Sequence, residues 1–492
     1  MNKYIISIDA STTGIALLVI NKNLKVLKKY YSEFQQYFPQ PGWVEHNGQE
    51  IWDTLLKLMN TLFQDYSIEN CLCIGITNQR ETTLIWNRNT NKPIHKAIVW
   101  QCKRTSFICD QIKSNGYEKE IQEKTGLVLD SYFSGTKIKW LLDNVPNARE
   151  EANNGELLFG TIDTWLLWNL TCGTSHLTDH TNASRTLLYN INTNNWDDRL
   201  LNLFEVPKTL LPKITNSAHD FGLTSNKLFS KEIPITGIAG DQQASLFGHS
   251  CFNPGDAKCT YGTGCFLLTN IGKKRTDSSS GLITTICCDE SGLPSYAIEG
   301  SVFIGGAAVQ WLRDDLQIIK DAQETEQISK SLTDNNGLYI VPAFSGLGAP
   351  YWNMNAKGII VGISRGTNRN HLIRATLESI AFQVYDIFMA NKNDLNHHSK
   401  NLKVDGGAAN NNFLLQFQAN ILNIKISKPQ NIDSTALGAA MLAGIGANIW
   451  EKNNDFEMLN PTEKVYRPTI DTKERNMLIN GWKEAIKACQ SI

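Results

Sequence analysis

Short apolar runs alternate with polar turns and with segments of helical spacing along the first hundred residues. Tyr4–Ile8 and Ala16–Ile20 are apolar runs typical of β-strands, and the polar turn SIDASTTG stands between them. In Glu45–Leu62, apolar residues recur every three or four positions, which predicts an amphipathic helix. Strands mixed with such helices indicate an α/β fold.

The strand–turn–strand pattern returns in the second half of the chain. Asp256–Asn270 reads DAKCTYGTGCFLLTN, with small residues between two apolar runs. Further on, Leu402–Leu422 predicts a strand, a glycine turn and a helix. Ser434–Trp450 predicts a helix rich in small residues that is suited to close packing. The return of the strand–turn–strand pattern predicts two structurally related halves, and we place them at residues 1–248 and 249–492.

Composition narrows the class of protein. Of the 492 residues, 41% are hydrophobic, and 47 Lys and Arg balance 48 Asp and Glu, which argues against nucleic acid or a membrane surface as the main partner. No apolar run reaches the ~18 residues of a membrane span, and Asp9 interrupts the N-terminal run that would otherwise resemble a secretion signal. The eleven irregularly spaced cysteines include no CxxC pair. We interpret them as reduced thiols of a cytoplasmic protein.

Small-residue turns adjoin several of the predicted strands: DASTTG, YGTGCF, IGGAAVQ and VDGGAANN. Glycine lets backbone N–H groups approach phosphate oxygens, and Ser and Thr hydroxyls add donors. The sequence has no Walker A loop, no intact GxGxxG and no HExxH. A single turn, such as the one with Gly262 and Gly264, could be a plain hairpin. Two such units, one at the start of each half, indicate a nucleotide triphosphate held between the halves.

Two aspartates stand at the ends of predicted strands. Asp9 lies at the mouth of the first turn, and Asp241 follows an apolar run in ITGIAGDQQASLFG and precedes a predicted helix. A carboxylate in such a place can hold Mg²⁺, directly or through water, or take a proton from a hydroxyl nucleophile. Each aspartate could instead be a helix N-cap, and the sequence alone leaves both readings open.

Arg80 and Glu81 are adjacent in GITNQRETTLIW, directly after an apolar run. Arginine offers a fork of donors and glutamate an acceptor, which suits a polyol. On an extended strand the two side chains point to opposite faces, so both reach one ligand only if the chain turns there. The alternative is a surface turn with a salt bridge. Trp100, at the end of AIVW, could similarly be part of the ordinary core.

The sequence segments quoted above together resemble the FGGY family of carbohydrate kinases, and within it the members that act on glycerol. The resemblance spans nearly the whole chain, with the blocks in the family's order. Further blocks that carry it are PGWVEH, AIVWQCKRT, SYFSGTKIKWLLDN, TNASRT, GLITTI, VPAFSGLGAPYW and IRATLESIAFQ.

The resemblance implies an α/β fold of two actin-like (ribonuclease H-like) ATPase domains flanking a central cleft. It implies ATP-dependent phosphorylation of glycerol to sn-glycerol 3-phosphate, the first step of glycerol catabolism, with ATP and Mg²⁺ as cofactors. It also implies a homodimer or homotetramer, without nucleic acid or membrane insertion. Two alternatives stay open: an FGGY kinase for another small polyol, and a catalytically weak ligand-binding relative.

Carried over position by position, the resemblance also implies roles for individual residues. The catalytic positions are Asp241, the general base, and Asp9, the acidic residue beside Mg²⁺, which it holds possibly through water. The substrate-binding positions are Arg80, Glu81, Tyr132, Asp241 and Gln242, with Trp100 and Phe266 as walls against the carbon backbone of glycerol. The nucleotide positions are Thr12, Thr13, Thr263, Gly306, Gln310, Gly407 and Asn411.

The first phosphate turn departs from the family pattern. That turn usually reads DQGTTSSR in the family, whereas this chain reads DASTTGIA, with Ser11 in place of a glycine and Ala16 in place of the arginine. A charge-assisted hydrogen bond of the kind that arginine makes contributes ~1.5–3 kcal/mol. We therefore predict an active but weakened kinase. The retention of Asp9, Arg80, Glu81 and Asp241 argues against a silent relative.

Overall fold

The computed structural model describes residues 3–353, 355–395, 399–450 and 456–491. The strands are β1 (Tyr4–Ala10), β2 (Gly14–Asn21), β3 (Val26–Glu33), β4 (Gln36–Tyr37), β5 (Glu45–His46), β6 (Cys71–Asn78), β7 (Leu84–Asn87), β8 (Lys92–Pro93), β9 (Ala97–Ile98), β10 (Leu157–Gly160), β11 (Leu177–Asp179), β12 (Tyr189–Asn190), β13 (Asn195–Trp196), β14 (Lys213–Thr215), β15 (Ala218–Leu223), β16 (Pro234–Gly240), β17 (Ala257–Tyr261), β18 (Cys265–Gly272), β19 (Ile283–Cys288), β20 (Pro294–Val302), β21 (Tyr339–Val341), β22 (Ile359–Val361), β23 (Asn401–Asp405), β24 (Lys425–Pro429) and β25 (Thr462–Tyr466).

The helices are α1 (Gly48–Asp65), α2 (Ser106–Ser114), α3 (Glu118–Thr125), α4 (Ser134–Asn144), α5 (Ala148–Asn153), α6 (Ile162–Leu170), α7 (His180–Ala183), α8 (Asp198–Phe204), α9 (Asp241–Gly248), α10 (Ala307–Asp314), α11 (Glu324–Lys330), α12 (Arg369–Asp394), α13 (Asn412–Leu422), α14 (Ser434–Gly446), α15 (Phe456–Leu459) and α16 (Thr472–Gln490). Short 3₁₀ turns lie at Ile68–Asn70, Lys208–Leu210 and Gly407–Asn410.

Two large mixed sheets organise the molecule, and each belongs to one half of the chain. The first has the strand order β15-β16-β6-β1-β2-β3, and the second has the order β19-β20-β18-β17-β23-β24-β25. In the first sheet, β1 pairs antiparallel with β2 and parallel with β6. In the second, β17 pairs antiparallel with β18 and parallel with β23. The two phosphate turns predicted from the sequence therefore join equivalent hairpins of two similar sheets.

Helix α1 begins later than the sequence pattern suggested. We expected a helix over Glu45–Leu62, but Glu45 and His46 form strand β5 and the helix spans Gly48–Asp65. Asn47 is its N-cap, because its side-chain oxygen accepts a hydrogen bond from the backbone N–H of Gln49 at 3.0 Å. The apolar stripe of α1 packs on one face of the first sheet.

Helices α9 and α14 cross between the two sheets. Helix α9 follows β16 of the first sheet yet packs on strands of the second, while α14 follows β24 of the second sheet and packs on β16, β6 and β1 of the first. A Cβ atom on Gly438 would lie 1.8 Å from the carbonyl oxygen of Ala244, and one on Gly248 would lie 2.0 Å from that of Ser434. Glycine is therefore required at the crossing, and this explains the small-residue pattern of α14.

All eleven cysteines are free thiols, and all but Cys172 are buried. In the part of the chain that the structure describes, no helix has the length and apolar character needed to cross a membrane.

Candidate active site

Four charged side chains meet between the two sheets, and each is almost completely buried: Arg80, Glu81, Arg185 and Glu299. Arg80 donates to both carboxylate oxygens of Glu299, at 2.6 and 2.9 Å. Arg185 donates to Glu81 at 2.6 Å and to Glu299 at 3.0 Å. Because buried charges are costly unless they are paired, two cations and two carboxylates form a balanced set. Glu299 lies on β20, so this set links the second sheet to the first.

The backbone at Glu81 explains how two adjacent residues reach one place. Glu81 has a φ of +60°, and the N–H of Thr82 donates to the carbonyl of Arg80 at 2.7 Å. This tight turn brings Arg80 Nε within 3.7 Å of Glu81 Oε1. A non-glycine residue in this conformation costs ~1–3 kcal/mol. Hydrogen bonds from Ser134 Oγ and Lys137 Nζ to the carbonyl of Glu81, at 3.0 and 3.2 Å, offset that cost.

Asp241 borders this charged set but opens toward the cleft. Its Oδ1 lies 3.3 Å from Arg80 Nε, and its side chain is 28% exposed, whereas Arg80 is 2% exposed. Asp241 is the first residue of α9 and Gly240 is the N-cap, so the N-cap alternative is wrong. Burial raises the pKa of Asp241 above its ordinary value, while Arg80 and Lys258 act in the opposite direction. The carboxylate is thus a stronger base than an ordinary aspartate, with one side open to the cleft.

Three aromatic side chains form a wall beside the charged set, since the guanidinium of Arg185 lies 5.6 Å from the ring centroid of Tyr132. The ring centroid of Trp100 lies 5.6 Å from that of Tyr132 and 6.4 Å from that of Phe266. Trp100 is half-buried and packs against the neighbouring hydrophobic core, and its Nε1 donates to Thr12 Oγ1 at 3.0 Å, so its indole extends from that core to the first turn. Burial raises the pKa of Tyr132, which keeps its phenol neutral. Phe266 comes from the second sheet, so both halves contribute to the wall.

Gln242 lies next to Asp241 but its side chain points into the protein. Its Oε1 accepts a hydrogen bond from Lys258 Nζ at 2.6 Å, and the same ammonium donates to Thr260 Oγ1 at 2.8 Å. Burial lowers the pKa of Lys258, and the carboxylates of Asp405 and Asp241 act against that shift. Gln242 therefore holds the buried ammonium of Lys258 near Asp241.

The first phosphate turn is a tight hairpin between β1 and β2. The backbone N–H and the hydroxyl of Ser11 both donate to the carbonyl of Gly14, at 3.0 and 2.9 Å. A Cβ on Gly14 would lie 2.6 Å from the carbonyl oxygen of Ser32 on the neighbouring strand, so glycine is needed at this position. The turn directs Thr12 to Trp100, whereas Thr13 is exposed to solvent.

Asp9, at the end of β1, is the second carboxylate of the cleft. Burial and the nearby carboxylate of Asp241 raise the pKa of Asp9 to about 7. The described residues contain no group of three or more His, Cys, Asp or Glu side chains arranged to hold a metal ion. The carboxylate of Asp9 nevertheless suits Mg²⁺, which binds one or two carboxylates and takes its other oxygens from phosphates and water.

A cavity of about 700 Å³ lies against the second sheet, within the range of small-molecule sites. It contains five of the predicted nucleotide positions: Thr263, Gly306, Gln310, Gly407 and Asn411. Gly262 and Thr263, in the turn that follows β17, line one side of the cavity together with Gly306. The backbone N–H of Gly306 donates to the carbonyl of Gly262 at 2.8 Å and holds the two segments together. The side-chain amide of Asn411 donates to Thr325 Oγ1 at 3.1 Å, which joins the start of α13 to α11. The lining comes wholly from residues 261–411, so the predicted positions Thr12 and Thr13 of the first half do not line this cavity.

The structure adds four residues that the sequence reasoning did not single out as site residues: Lys137, Arg185, Lys258 and Glu299. Lys137 Nζ donates to the carbonyls of both Glu81 and Tyr132, and burial lowers the pKa of this lysine to about 8. The sequence does contain a sign that Glu299 is unusual, because it is the lone carboxylate in the strand sequence PSYAIEGSV. Lys258 similarly interrupts an otherwise uncharged strand.

Comparisons with known proteins agree with this geometry. The models of the FGGY family of carbohydrate kinases match residues 4–248 (N-terminal domain) and 257–447 (C-terminal domain). The chain is 51% identical over 489 residues to the glycerol kinase of Caldanaerobacter subterraneus subsp. tengcongensis, covering 99% of this chain and 98% of that protein. It is also 51% identical over 486 residues to glycerol kinase 2 of Thermotoga maritima, covering 98% of each.

A solved structure supports the same relationship. Plasmodium falciparum glycerol kinase with ADP superposes with a TM-score of 0.92 at 38% identity, over 99% of this chain and 98% of that one. The predicted α/β fold, with two actin-like domains on either side of a cleft, is confirmed. The chain belongs to the FGGY family of carbohydrate kinases.

Proposed function

We propose that this protein is a glycerol kinase, which transfers the terminal phosphoryl group of ATP to a hydroxyl of glycerol and releases sn-glycerol 3-phosphate and ADP. The observation that carries the proposal is the meeting of Arg80, Glu81 and Asp241 near an aromatic wall, in a chain whose second half holds the 700 Å³ cavity. The named relatives, similar over the whole chain, support the same reading.

The polar groups match the chemistry of a small triol. Glycerol offers three hydroxyls and little apolar area, so its recognition depends on paired donors and acceptors in a site that excludes water. Arg80 supplies donors, while Glu81 and Asp241 supply acceptors. Trp100 and Phe266 contact the carbon backbone. Tyr132 adds a neutral hydroxyl that can donate or accept, and Gln242 holds Lys258 below these groups.

Asp241 acts as the general base on the attacking hydroxyl. Its raised pKa increases its affinity for the proton of that hydroxyl, and Arg80 at 3.3 Å keeps it in the correct orientation. Phosphoryl transfer needs alignment and neutralisation of charge more than covalent help. Backbone N–H groups of the two phosphate turns, with the hydroxyls of Thr12, Thr13 and Thr263, surround the phosphates.

Asp9 would hold Mg²⁺ at the phosphates, directly or through water, where the cation would neutralise part of their charge. The nucleotide itself occupies the cavity of the second half, against Gly306, Gln310, Gly407 and Asn411. We propose the division of the chain at residues 1–248 and 249–492, a cytoplasmic location, and a homodimer or homotetramer as the assembly.

A coupled assay of ADP release tests the proposed function. We expect ADP release that depends on glycerol, and a kcat/KM for glycerol at least tenfold above those for dihydroxyacetone, erythritol and xylulose. Erythritol and xylulose add hydroxyls for which these few polar groups leave no partner, and dihydroxyacetone replaces the central hydroxyl of glycerol with a carbonyl, which cannot donate a hydrogen bond. Preference for another polyol would support the alternative kinase, and the absence of release with every substrate would support a ligand-binding relative.

The dependence of activity on pH follows from the two raised carboxyl pKa values. Asp9 must be ionised to hold Mg²⁺ and Asp241 must be ionised to accept a proton. Because Asp9 has a pKa of about 7 in the free protein, kcat/KM for ATP should decline as the pH falls through about 7. Initial rates between pH 5 and 9, at constant ionic strength, measure this. A profile that is flat down to pH 5 would contradict the raised pKa values.

A further inference from the structure

Gln79 lies directly after β6, between the first phosphate turn and the tight turn at Glu81. Its backbone N–H donates to the carbonyl of Ala10 at 2.8 Å, which extends the pairing of β6 with β1 by one residue. The residue is 1% exposed, so each polar atom of its side chain needs a partner within the protein. The positions of these partners show what the side chain connects.

The side-chain amide of Gln79 has a partner for each of its polar groups. Its Nε2 donates to the carbonyl of Ser11 at 3.1 Å and lies 3.3 Å from Nδ1 of His46, while its Oε1 accepts from the hydroxyl of Thr82 at 2.9 Å. Because a carbonyl only accepts, Ser11 determines which end of the amide faces the phosphate turn. Burial lowers the pKa of His46 to about 4, so its ring is neutral and Nδ1 can accept the second amide hydrogen.

Trp100 connects Thr82 back to the same phosphate turn. Its backbone N–H donates to Thr82 Oγ1 at 3.4 Å, and its indole Nε1 donates to Thr12 Oγ1 at 3.0 Å. Thr12 directly follows Ser11, whose carbonyl accepts from Gln79. These five residues, Ser11, Thr12, Gln79, Thr82 and Trp100, therefore form a closed hydrogen-bonded circuit, which we call the Gln79 network.

The Gln79 network connects the first phosphate turn to the aromatic wall, and the neighbouring charged groups are held by other contacts. Arg80 is held by the carboxylate of Glu299, and Glu81 is held by Arg185. Loss of the network would therefore free the phosphate turn from the wall and leave the polar groups proposed to bind glycerol in place.

We propose that Gln79 is a positioning residue that holds the first phosphate turn in a fixed place relative to the glycerol site. It acts through Ser11 on one side and through Thr82 and Trp100 on the other. Phosphoryl transfer depends on this alignment, because a displacement of about 1 Å can lower a rate about 10²-fold. This inference rests on the proposed kinase function, and it deepens that function by naming the residue that aligns the two substrates.

The variant Gln79→Met tests the proposal, because it keeps the length of the side chain and removes its hydrogen bonds to Ser11, His46 and Thr82. We expect kcat to fall about 10–100-fold, whereas the Kd for glycerol, measured by titration calorimetry without nucleotide, should change by less than about threefold. A role in stability alone would lower the melting temperature without this separation of kcat from glycerol affinity.

Asn169→Leu is the matched control for the loss of buried hydrogen bonds. Asn169 is a buried amide on α6 in the same half of the chain, where it donates to the carbonyl of Trp165 and accepts from Asn91. Its replacement should lower the melting temperature but leave kcat and the Kd for glycerol at their wild-type values.

Thr82→Val opens the same network at a second place, since it keeps the shape of the side chain and removes the hydroxyl. If the network acts as a unit, Thr82→Val and the double variant with Gln79→Met should each lower kcat about as much as Gln79→Met alone. Should Gln79→Met not fold, Thr82→Val allows the same comparison of kcat with glycerol affinity.

Three results would overturn the proposal: an unchanged kcat in Gln79→Met, equal losses of kcat and of glycerol affinity, or losses that add in the double variant. Each of these results is obtained with an active wild type, so the kinase function would stand. A wild type that binds glycerol but transfers a phosphoryl group to no polyol would refute the kinase function, and this inference with it.

Discussion

Replacement of Asp241 with asparagine is expected to lower kcat by about 10²–10⁴-fold, the usual contribution of a general base. The amide keeps the size of the side chain and can still lie against Arg80 Nε. It cannot take the proton of the attacking hydroxyl. The affinity for glycerol should therefore change much less than kcat, and the two quantities are separated by steady-state kinetics and by direct titration with glycerol.

The matched control for this variant is Asp220→Asn. Asp220 is exposed on β15, in the same sheet, and its carboxylate accepts a bond from the nearby N–H of Gly222. Full activity in Asp220→Asn excludes a general effect of removing one negative charge. Substantial turnover in Asp241→Asn would show that the hydroxyl loses its proton elsewhere, and Asp9 would then be the next carboxylate to replace.

Glu299→Gln is expected to lower the free energy of unfolding by about 3–5 kcal/mol, because it leaves two buried guanidinium groups short of one carboxylate. Burial raises the pKa of Glu299, but Arg185 and Arg80 outweigh burial and hold that pKa at about 2. A depressed folded pKa means that this stabilisation is fully present above the pKa of the unfolded chain, near 4.3, and is lost as the pH falls toward 2. Denaturation with guanidinium chloride at pH 7.5 measures the full effect.

The same variant should raise KM for glycerol, because Glu299 holds Arg80 by two hydrogen bonds and Arg80 lies beside Asp241. Glu290→Gln is the control, since Glu290 is an exposed glutamate two residues after the end of β19, which pairs with β20. A Glu299→Gln protein with wild-type stability would show that other groups stabilise the two guanidinium groups and that the carboxylate of Glu299 is not needed for folding.

The sequence predicted the local features of the site well. Both hairpin turns, the strand before Asp241 and the helix of small residues are encoded in consecutive residues, so periodicity and glycine placement reveal them. Helix α1 was placed three residues early, since nothing local shows that Glu45 and His46 pair with other short strands. The resemblance supplied the roles of Arg80 and Glu81, but the backbone turn that lets both reach one place appears only in the structure.

The residues that the sequence did not identify contact partners that are far away along the chain. Glu299 meets Arg80 across 219 residues of chain, and Gln79 meets Ser11 across 68. The pairing of β6 with β1 brings Gln79 beside the first turn, and register depends on pairing rather than on composition. The expectation of a weakened kinase came from Ala16 alone. That expectation stays a prediction.

The crossing of α9 and α14 has a consequence for how the chain folds. Each helix follows a strand of one sheet and packs on the other sheet. Each half of the chain therefore supplies part of the hydrophobic core of the other half. A fragment cut at residue 248 would leave β1 and β6 without the apolar cover of α14, and the remaining fragment would lack α9. The two halves are therefore interdependent folding units, and neither sheet is fully covered until residue 446 has been synthesised.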